Sequence, residues 1–257
     1  MTLPLAGRSV LVTRAAHQAS KLSDGLRALG AEPIEVPVLE MRPPESFDLL
    51  DQALRHIDSY DWLILTSANA AQALLDRASQ LQIRLDQMVT MKVAAIGPGT
   101  ASAAQKAKLT VTLLPDAQVA EGLVAALQPH TAGKRVLLAR AAVARDVIPD
   151  ALRASGARVD IVDAYRNVLP ESAPEQLRHA LAQKIDAATF TSSSSVTHLK
   201  EAAERAGIAF PFAGVHAISI GPITSQTLRE QGWEPAAEAN PSDIPGLVAA
   251  ALQFFSS

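Results

Sequence analysis

Residues 7–36, GRSVLVTRAAHQASKLSDGLRALGAEPIEV, are matched without a gap by residues 133–162, GKRVLLARAAVARDVIPDALRASGARVDIV, at an offset of 126. Gly7, Arg14, Asp24, Arg27 and Gly30 stand opposite Gly133, Arg140, Asp150, Arg153 and Gly156. The match continues outward. DWLILTSANAAQAL from Asp61 meets DAATFTSSSSVTHL from Asp186 at an offset of 125, AIGPGTASAA from Ala95 meets SIGPITSQTL from Ser219 at 124, and EGLVAAL from Glu121 resembles PGLVAAAL from Pro245. Solenoid repeats run to 20–50 residues, whereas a unit about half of this 257-residue chain is long enough to be a domain, so the chain is a duplicated domain.

Each copy alternates short apolar runs with amphipathic segments. SVLVTR, WLILTS, VAAIGP and TVTLLP, with RVLLAR, AATFTS and AISIGP in the second copy, read as strands buried on both faces. Segments 68–80, 100–107 and 193–205 carry helical periodicity and propensity. Such alternation implies βαβ units and parallel sheets flanked by helices, so each half is expected to be an α/β, flavodoxin-like or Rossmann-like sandwich. Two stretches, near 31–41 and 157–169, are longer and mix charge with β-branched residues. They read as extended connectors at equivalent places. Lying side by side, they would build one spatial domain from the middle of the chain and the other from its two ends.

Composition limits the chemistry. The chain is 48% apolar and only 4% aromatic, so its core rests on Ala, Leu, Val and Ile. A net charge of −3 argues against a nucleic-acid binder. Without cysteine there is no disulfide, thiolate metal site or cysteine nucleophile, which suits a cytoplasmic protein. The opening MTLPLAGRSVLVTR does not read as a signal peptide, and no apolar run reaches the roughly 18 residues of a membrane helix. Dinucleotide, phosphate-loop, zinc-protease and serine-hydrolase motifs are missing, and the six histidines lack metal-ligand spacing. No cofactor and no metal are expected.

In parallel sheets, ligands bind beyond the carboxyl ends of the strands. The repeated polar letters fall there. Thr66, Ser67 and Asn69 follow one strand, and Ser192 and Ser193 another; Thr100 and Thr224 end the Gly-Pro-Xaa-Thr steps. Serine and asparagine cap helices everywhere, but helix N-termini also attract carboxylates and phosphates, and four such ends point to an anionic ligand shared by the two domains. Arg14 and Arg140 end the first strand of each copy, with Arg145 shortly after; each either grips a carboxylate or is a solvated charge. Tyr165 ends the second connector. Its phenol, protonated at neutral pH in the unperturbed state, either donates a proton to a leaving oxygen or packs the connector.

Together DWLILTSANA, AAIGPGTA, GKRVLLARAAVARDVIPDAL, VDAYRNV, TFTSSSSV and SIGPITSQTLREQGW resemble the uroporphyrinogen-III synthase family over essentially the full chain. The resemblance implies two flavodoxin-like domains joined by a two-stranded connector, one over 40–165 and the other over 1–37 and 168–257. It implies a lyase of heme and porphyrin biosynthesis that cyclises the tetrapyrrole precursor hydroxymethylbilane to uroporphyrinogen III, losing water and inverting ring D. Tyr165 matches the family's proton donor to the leaving hydroxyl. Arg14, Thr66, Ser67, Asn69, Thr100, Arg140, Arg145, Ser192, Ser193 and Thr224 match its substrate-binding loops and strand ends. A monomer without membrane partner is implied, in transient contact with the enzyme that supplies the bilane. The competing readings are a non-enzymatic two-domain binding protein for an anionic small molecule and a regulatory scaffold.

Overall fold

The apolar runs become the inner strands of two sheets. The computed structural model describes residues 3–85, 90–106 and 108–256, with His17 described by its backbone alone. The first copy supplies β1 (Ser9–Val12), α1 (Ala16–Ala28), β2 (Glu32–Glu35), β3 (Glu40–Arg42), α2 (Asp48–Arg55), β4 (Trp62–Leu65), α3 (Ala68–Gln80), β5 (Lys92–Ala95), α4 (Pro98–Lys106), β6 (Val111–Leu113) and α5 (Ala120–Thr131). The second copy continues with β7 (Arg135–Ala141), α6 (Val147–Ala154), β8 (Arg158–Val168), α7 (Ala173–Leu181), β9 (Ala187–Phe190), α8 (Ser193–Ala206), β10 (His216–Ser219), α9 (Pro222–Glu230), β11 (Pro235–Glu238) and α10 (Ile244–Ser256). Helices α3, α4 and α8 cover the segments expected to be helical, except Ala107, which lies outside the described residues.

Two compact units form. A terminal unit comprises residues 1–41 and 168–257, and a central unit residues 42–167. The terminal sheet runs β11-β10-β9-β1-β2, parallel throughout. That is the flavodoxin order, but its strands come from different copies: β1 and β2 from the first, β9 to β11 from the second. The central sheet runs β3-β8-β7-β4-β5-β6, and there β7 and β8 come from the second copy. The copies have exchanged their leading strand pairs. The chain passes between units at 41/42 and 167/168, on β3 and β8, which are hydrogen-bonded neighbours.

The two stretches expected to be connectors are therefore largely sheet. Glu32–Glu35 pairs with β1, and β8 pairs with β7 from Arg158 to Tyr165. In β8, Val159 and Ile161 pack into one core of the central unit and Val162 and Ala164 into the other, with exposed Arg158 and Asp163 interrupting the apolar pattern.

Each inner strand splits its side chains between two cores, as period-2 geometry requires. Val10 and Val12 join Leu22, Leu26, Ile218 and Leu247, whereas Leu11 joins Phe190, Leu199, Phe212 and Trp233 on the opposite face. In the central unit Trp62, Ile64, Val136 and Leu138 lie on one side, and Leu63, Leu65, Leu137 and Ala139 on the other. Each fully buried leucine or isoleucine here contributes about 1.5–3 kcal/mol. The repeated GLVAA letters have a packing cause as well: a Cβ on Gly122 would lie 2.1 Å from the Ala117 carbonyl oxygen, and one on Gly246 would lie 2.0 Å from that of Pro241.

At the amino end of each exchanged strand pair stands an aspartate. Asp186 Oδ2 accepts the Ser9 N–H at 2.9 Å and Oδ1 meets Lys184 Nζ at 2.9 Å, with Arg8 at 3.5 Å. Asp61, its repeat counterpart, accepts the Arg135 N–H at 2.8 Å and Lys134 Nζ at 3.0 Å. Burial alone would raise the Asp186 carboxyl, but Lys184, the Ser9 amide and Arg8 outweigh it and hold it below the ordinary range. The Arg135 amide, then Lys134, lower Asp61 likewise. A carboxyl that binds its proton less readily folded than unfolded contributes stability above the unfolded pKa of about 4, and loses it as pH falls through the folded value. Asp186→Ala should cost about 1–3 kcal/mol at neutral pH by orphaning the Ser9 amide. Denaturant melts of wild type should weaken below about pH 4, and the variant should show a shallower acid slope.

Candidate functional site

In each unit the strand order reverses beside the first strand, and the crevice where ligands bind in such sheets lies at the carboxyl ends there. In the terminal unit that place is between β1 and β9; in the central unit it is between β7 and β4. Both reversal points therefore join a strand of one copy to a strand of the other.

The expected residues divide between the two rims. Arg14, Ser192, Ser193 and Thr224 belong to the terminal unit, and Thr66, Ser67, Asn69, Thr100, Arg140, Arg145 and Tyr165 to the central one. Ser192 caps α8, its Oγ accepting the Ser195 N–H at 3.2 Å while Ser195 Oγ accepts the Ser192 N–H at 3.3 Å, a reciprocal capping box. Ser193 Oγ accepts from Thr227 at 2.7 Å. Ser67 caps α3, accepting the Ala70 N–H at 3.0 Å. Thr66 Oγ1 donates to the Ala139 carbonyl at 3.4 Å, tying β4 to β7, and Asn69 is half-buried in the first turn of α3.

Helix N-termini usually recruit acidic residues, because the macrodipole is positive there. The helices that follow the two strands beyond each reversal, α3 and α4 in the central unit and α8 and α9 in the terminal one, carry no acidic residue in the first turn. Neither does α1, which also lacks a side-chain cap, as does α9. Their outward N–H groups remain available to an anion. Thr100 and Thr224 do not project from those turns; they are 5% and 4% exposed and pack inward, leaving the backbone as the polar surface.

The arginines differ. Arg14 is half-buried, bonds only Gln18 Oε1, at 3.1 Å, and has no acidic partner among the described residues; burial lowers its pKa. Arg140, its repeat counterpart, meets Asp146 at 2.8 Å and the Arg145 carbonyl at 3.2 Å. Arg140 Nε is the one buried side-chain nitrogen or oxygen among the described residues with no hydrogen-bond partner. Arg145 forms an exposed pair with Glu121 at 3.0 Å.

Tyr165 owes its position to a register break. Arg140 pairs with Asp163 and Ala141 with Tyr165, so Ala164 is an extra residue in β8. A bulge of this kind re-aims the chain beyond it. With strict alternation Tyr165 would lie on the same face as exposed Asp163; with the bulge it joins Val162 and Ala164 in the core on the other face, 7% exposed. Its Oη then lies 3.3 Å from Ser67 Oγ. The sequence pattern named both residues but not their contact, because a bulge leaves no mark on composition. At the same offset of 126, Tyr165 corresponds to Leu39, which lines a cavity of about 440 Å³ in the terminal unit with Ala16, Ser172 and Gln176.

Among the described residues no group of three histidines or carboxylates is placed to hold a metal ion, and no helix is long and apolar enough to cross a membrane. Residues 20–249 match the model of the family described as uroporphyrinogen-III synthase HemD. A uroporphyrinogen-III synthase from Synechococcus elongatus is 37% identical over 98% of this chain and 97% of its own. Among solved structures, a mutant uroporphyrinogen III synthase from the extremely thermophilic bacterium Thermus thermophilus aligns over 97% of this chain and 99% of its own, with a TM-score of 0.67 at 20% identity. The uroporphyrinogen-III synthetase of Helicobacter pylori aligns over 96% and 99%, with a TM-score of 0.64 at 20% identity. The fold and the full-length match agree, and the chain belongs to the uroporphyrinogen-III synthase family.

Proposed function

We propose that the protein cyclises hydroxymethylbilane to uroporphyrinogen III, and that Tyr165 gives the proton that lets the hydroxyl leave as water. The supporting observation is the phenol itself, turned by the Ala164 bulge to the carboxyl end of β4, where Ser67 begins α3. In the first step the C–O bond of the hydroxymethyl group breaks with its electron pair going to oxygen. Tyr165 Oη supplies the proton, water departs and ring A becomes an electrophilic azafulvene. The substituted carbon of ring D attacks this azafulvene cation. In the spirocyclic intermediate the bond from that carbon to the methylene shared with ring C breaks, leaving a second azafulvene on ring C. The unsubstituted α-carbon of ring D closes on that methylene, so that ring D ends inverted. The terminal pyrrole carbon loses its hydrogen at rearomatisation, and that proton restores the phenol, so the sum is loss of one water.

The bilane carries eight carboxylates, and left free it closes without inversion. Holding it folded is a task of positioning and charge complementarity. We assign the reacting hydroxymethyl group to the central rim. The terminal rim, with Arg14 and the N-termini of α1, α8 and α9, is by itself suited to carboxylates. We infer a protein that acts as a monomer in the cytoplasm, meeting the bilane-supplying enzyme only transiently.

Freshly generated hydroxymethylbilane added to the purified protein should give predominantly type III uroporphyrin after oxidation, separated chromatographically from type I. Type I alone, at the spontaneous rate and with folded protein, would refute the assignment. Tyr165→Phe should lower kcat by at least about tenfold while keeping some activity, since general-acid effects run from a hundredfold upward and a bound azafulvene precursor can still lose hydroxide slowly. Arg14→Met removes a half-buried cation that has no acid beside it. It should raise the melting temperature of the free protein slightly and raise KM by about tenfold, as expected for loss of a charge-assisted hydrogen bond.

A further inference from the structure

We propose that Ser67 is a positioning residue for the proton transfer: its hydroxyl links the N-terminus of α3 to Tyr165 and stabilises the phenolate that forms as the proton leaves. The inference rests on the reading of Tyr165 as donor and adds a partner to it. One Ser67 oxygen serves two groups. Oγ accepts the Ala70 N–H at 3.0 Å and stands 3.3 Å from Tyr165 Oη. With a lone pair committed to the helix amide, the hydroxyl proton of Ser67 is free to point at the phenol oxygen.

In the resting protein either hydroxyl can donate to the other, and 3.3 Å is a slack contact for an O–H to oxygen bond. Once Tyr165 has passed its proton to the leaving hydroxyl, only Ser67 can donate. The bond becomes charge-assisted, and such bonds are shorter and stronger than neutral ones. It therefore tightens in the transition state more than in the ground state, which is the condition for speeding the chemical step. Behind Ser67 stands the positive end of α3, whose first turn contains no acidic residue to offset it.

The duplication supplies an internal comparison. Ser192, the repeat counterpart of Ser67, is locked into a reciprocal capping box with Ser195, whereas the residue equivalent to Ser195 in α3 is Ala70, which has no hydroxyl to compete. The counterpart of Tyr165 is Leu39. Thus the capping serine is common to both rims, but only in the central unit is it both unboxed and facing a phenol. Nothing in capping α3 requires that difference; a proton-transfer pair does.

A double-mutant cycle tests the coupling. Wild type, Ser67→Ala, Tyr165→Phe and the double variant are assayed for kcat and KM with hydroxymethylbilane, alongside thermal melts. Ser67→Gly deletes the hydroxyl while costing a helix cap only slightly, so it separates chemistry from folding, and Ser67→Thr keeps a hydroxyl. Ser67→Ala and Ser67→Gly should each lower kcat about fivefold or more in the tyrosine background, change KM less, and have no further effect on kcat once Tyr165 is Phe. Ser67→Thr should restore most of kcat. The melting temperature should fall for Ser67→Ala equally in both backgrounds, because capping does not involve the phenol. An equal drop in kcat in both backgrounds, or an unchanged kcat for Ser67→Gly, overturns the proposal while leaving Tyr165 as donor intact. An unchanged kcat for Tyr165→Phe overturns the donor and this inference together. Type I product from wild type removes the whole functional reading, and it shows before any variant is made.

Discussion

The structure depends on one exchange: β1 of the first copy pairs with β9 of the second, and β7 of the second pairs with β4 of the first. Neither copy closes a sheet from its own strands in sequence. The exchange has to be held in register, since a one-residue slip would send every side chain of an inner strand to the core on the opposite face. Asp186 and Asp61 do this at the amino ends. Each joins three strands: Asp186 bonds β1 through the Ser9 amide and carbonyl and receives the His216 amide of β10, and Asp61 does the same with Arg135 and Lys92. The register then carries up each pair to the carboxyl end, where the reversal points sit. Both candidate rims are seams between the two copies for this reason.

The copies have not diverged evenly along that seam. Capping serines at 67 and 192, Gly-Pro turns at 97 and 221, and arginines at 14 and 140 are kept on both sides. Those features suit anions. What is not duplicated is the phenol and an arginine left without an acid among the described residues: Arg140 has Asp146, Arg14 has only Gln18. A polycarboxylate substrate needs many equivalent contacts, whereas one hydroxyl leaves only once. Doubled binding with single proton chemistry is the pattern such a reaction would impose.

Much of this was legible before any coordinates. The repeat gave the duplication, the two-face apolar runs gave parallel sheets, and the small polar letters after each strand gave the rims. Other features were not legible, for physical reasons. That the stretches 31–41 and 157–169 also carry paired strands is hidden because their charges interrupt the apolar pattern, and pairing depends on a partner elsewhere along the chain. Thr100 and Thr224 look like ligands in a turn, yet the helix they start carries their side chains inward and presents amides instead. Asp61 and Asp186 stand at the head of the aligned DWLIL and DAATF segments, but an aspartate before a strand reads as ordinary turn chemistry until Arg135 and Ser9 are seen across it.

Polar satisfaction is graded along the strands of each unit. At the amino ends the charges are answered: Asp186 by Lys184 and Arg8, Asp61 by Lys134, and Asp160 by Arg135 and by Tyr60. Burial, then the bond to Asp160, pushes Tyr60 up to about 12, so this second tyrosine keeps its proton and serves the network. At the carboxyl ends satisfaction is incomplete among the described residues: Arg14 has no acid, Arg140 pairs with Asp146 but has no acceptor at Nε, and α1 and α9 have no side-chain caps. Unanswered buried or half-buried cations and amides cost stability, and a fold selected for stability alone would close them. Their confinement to one end of both sheets, while the other end is tightly paired, is what an anionic substrate would repay on binding.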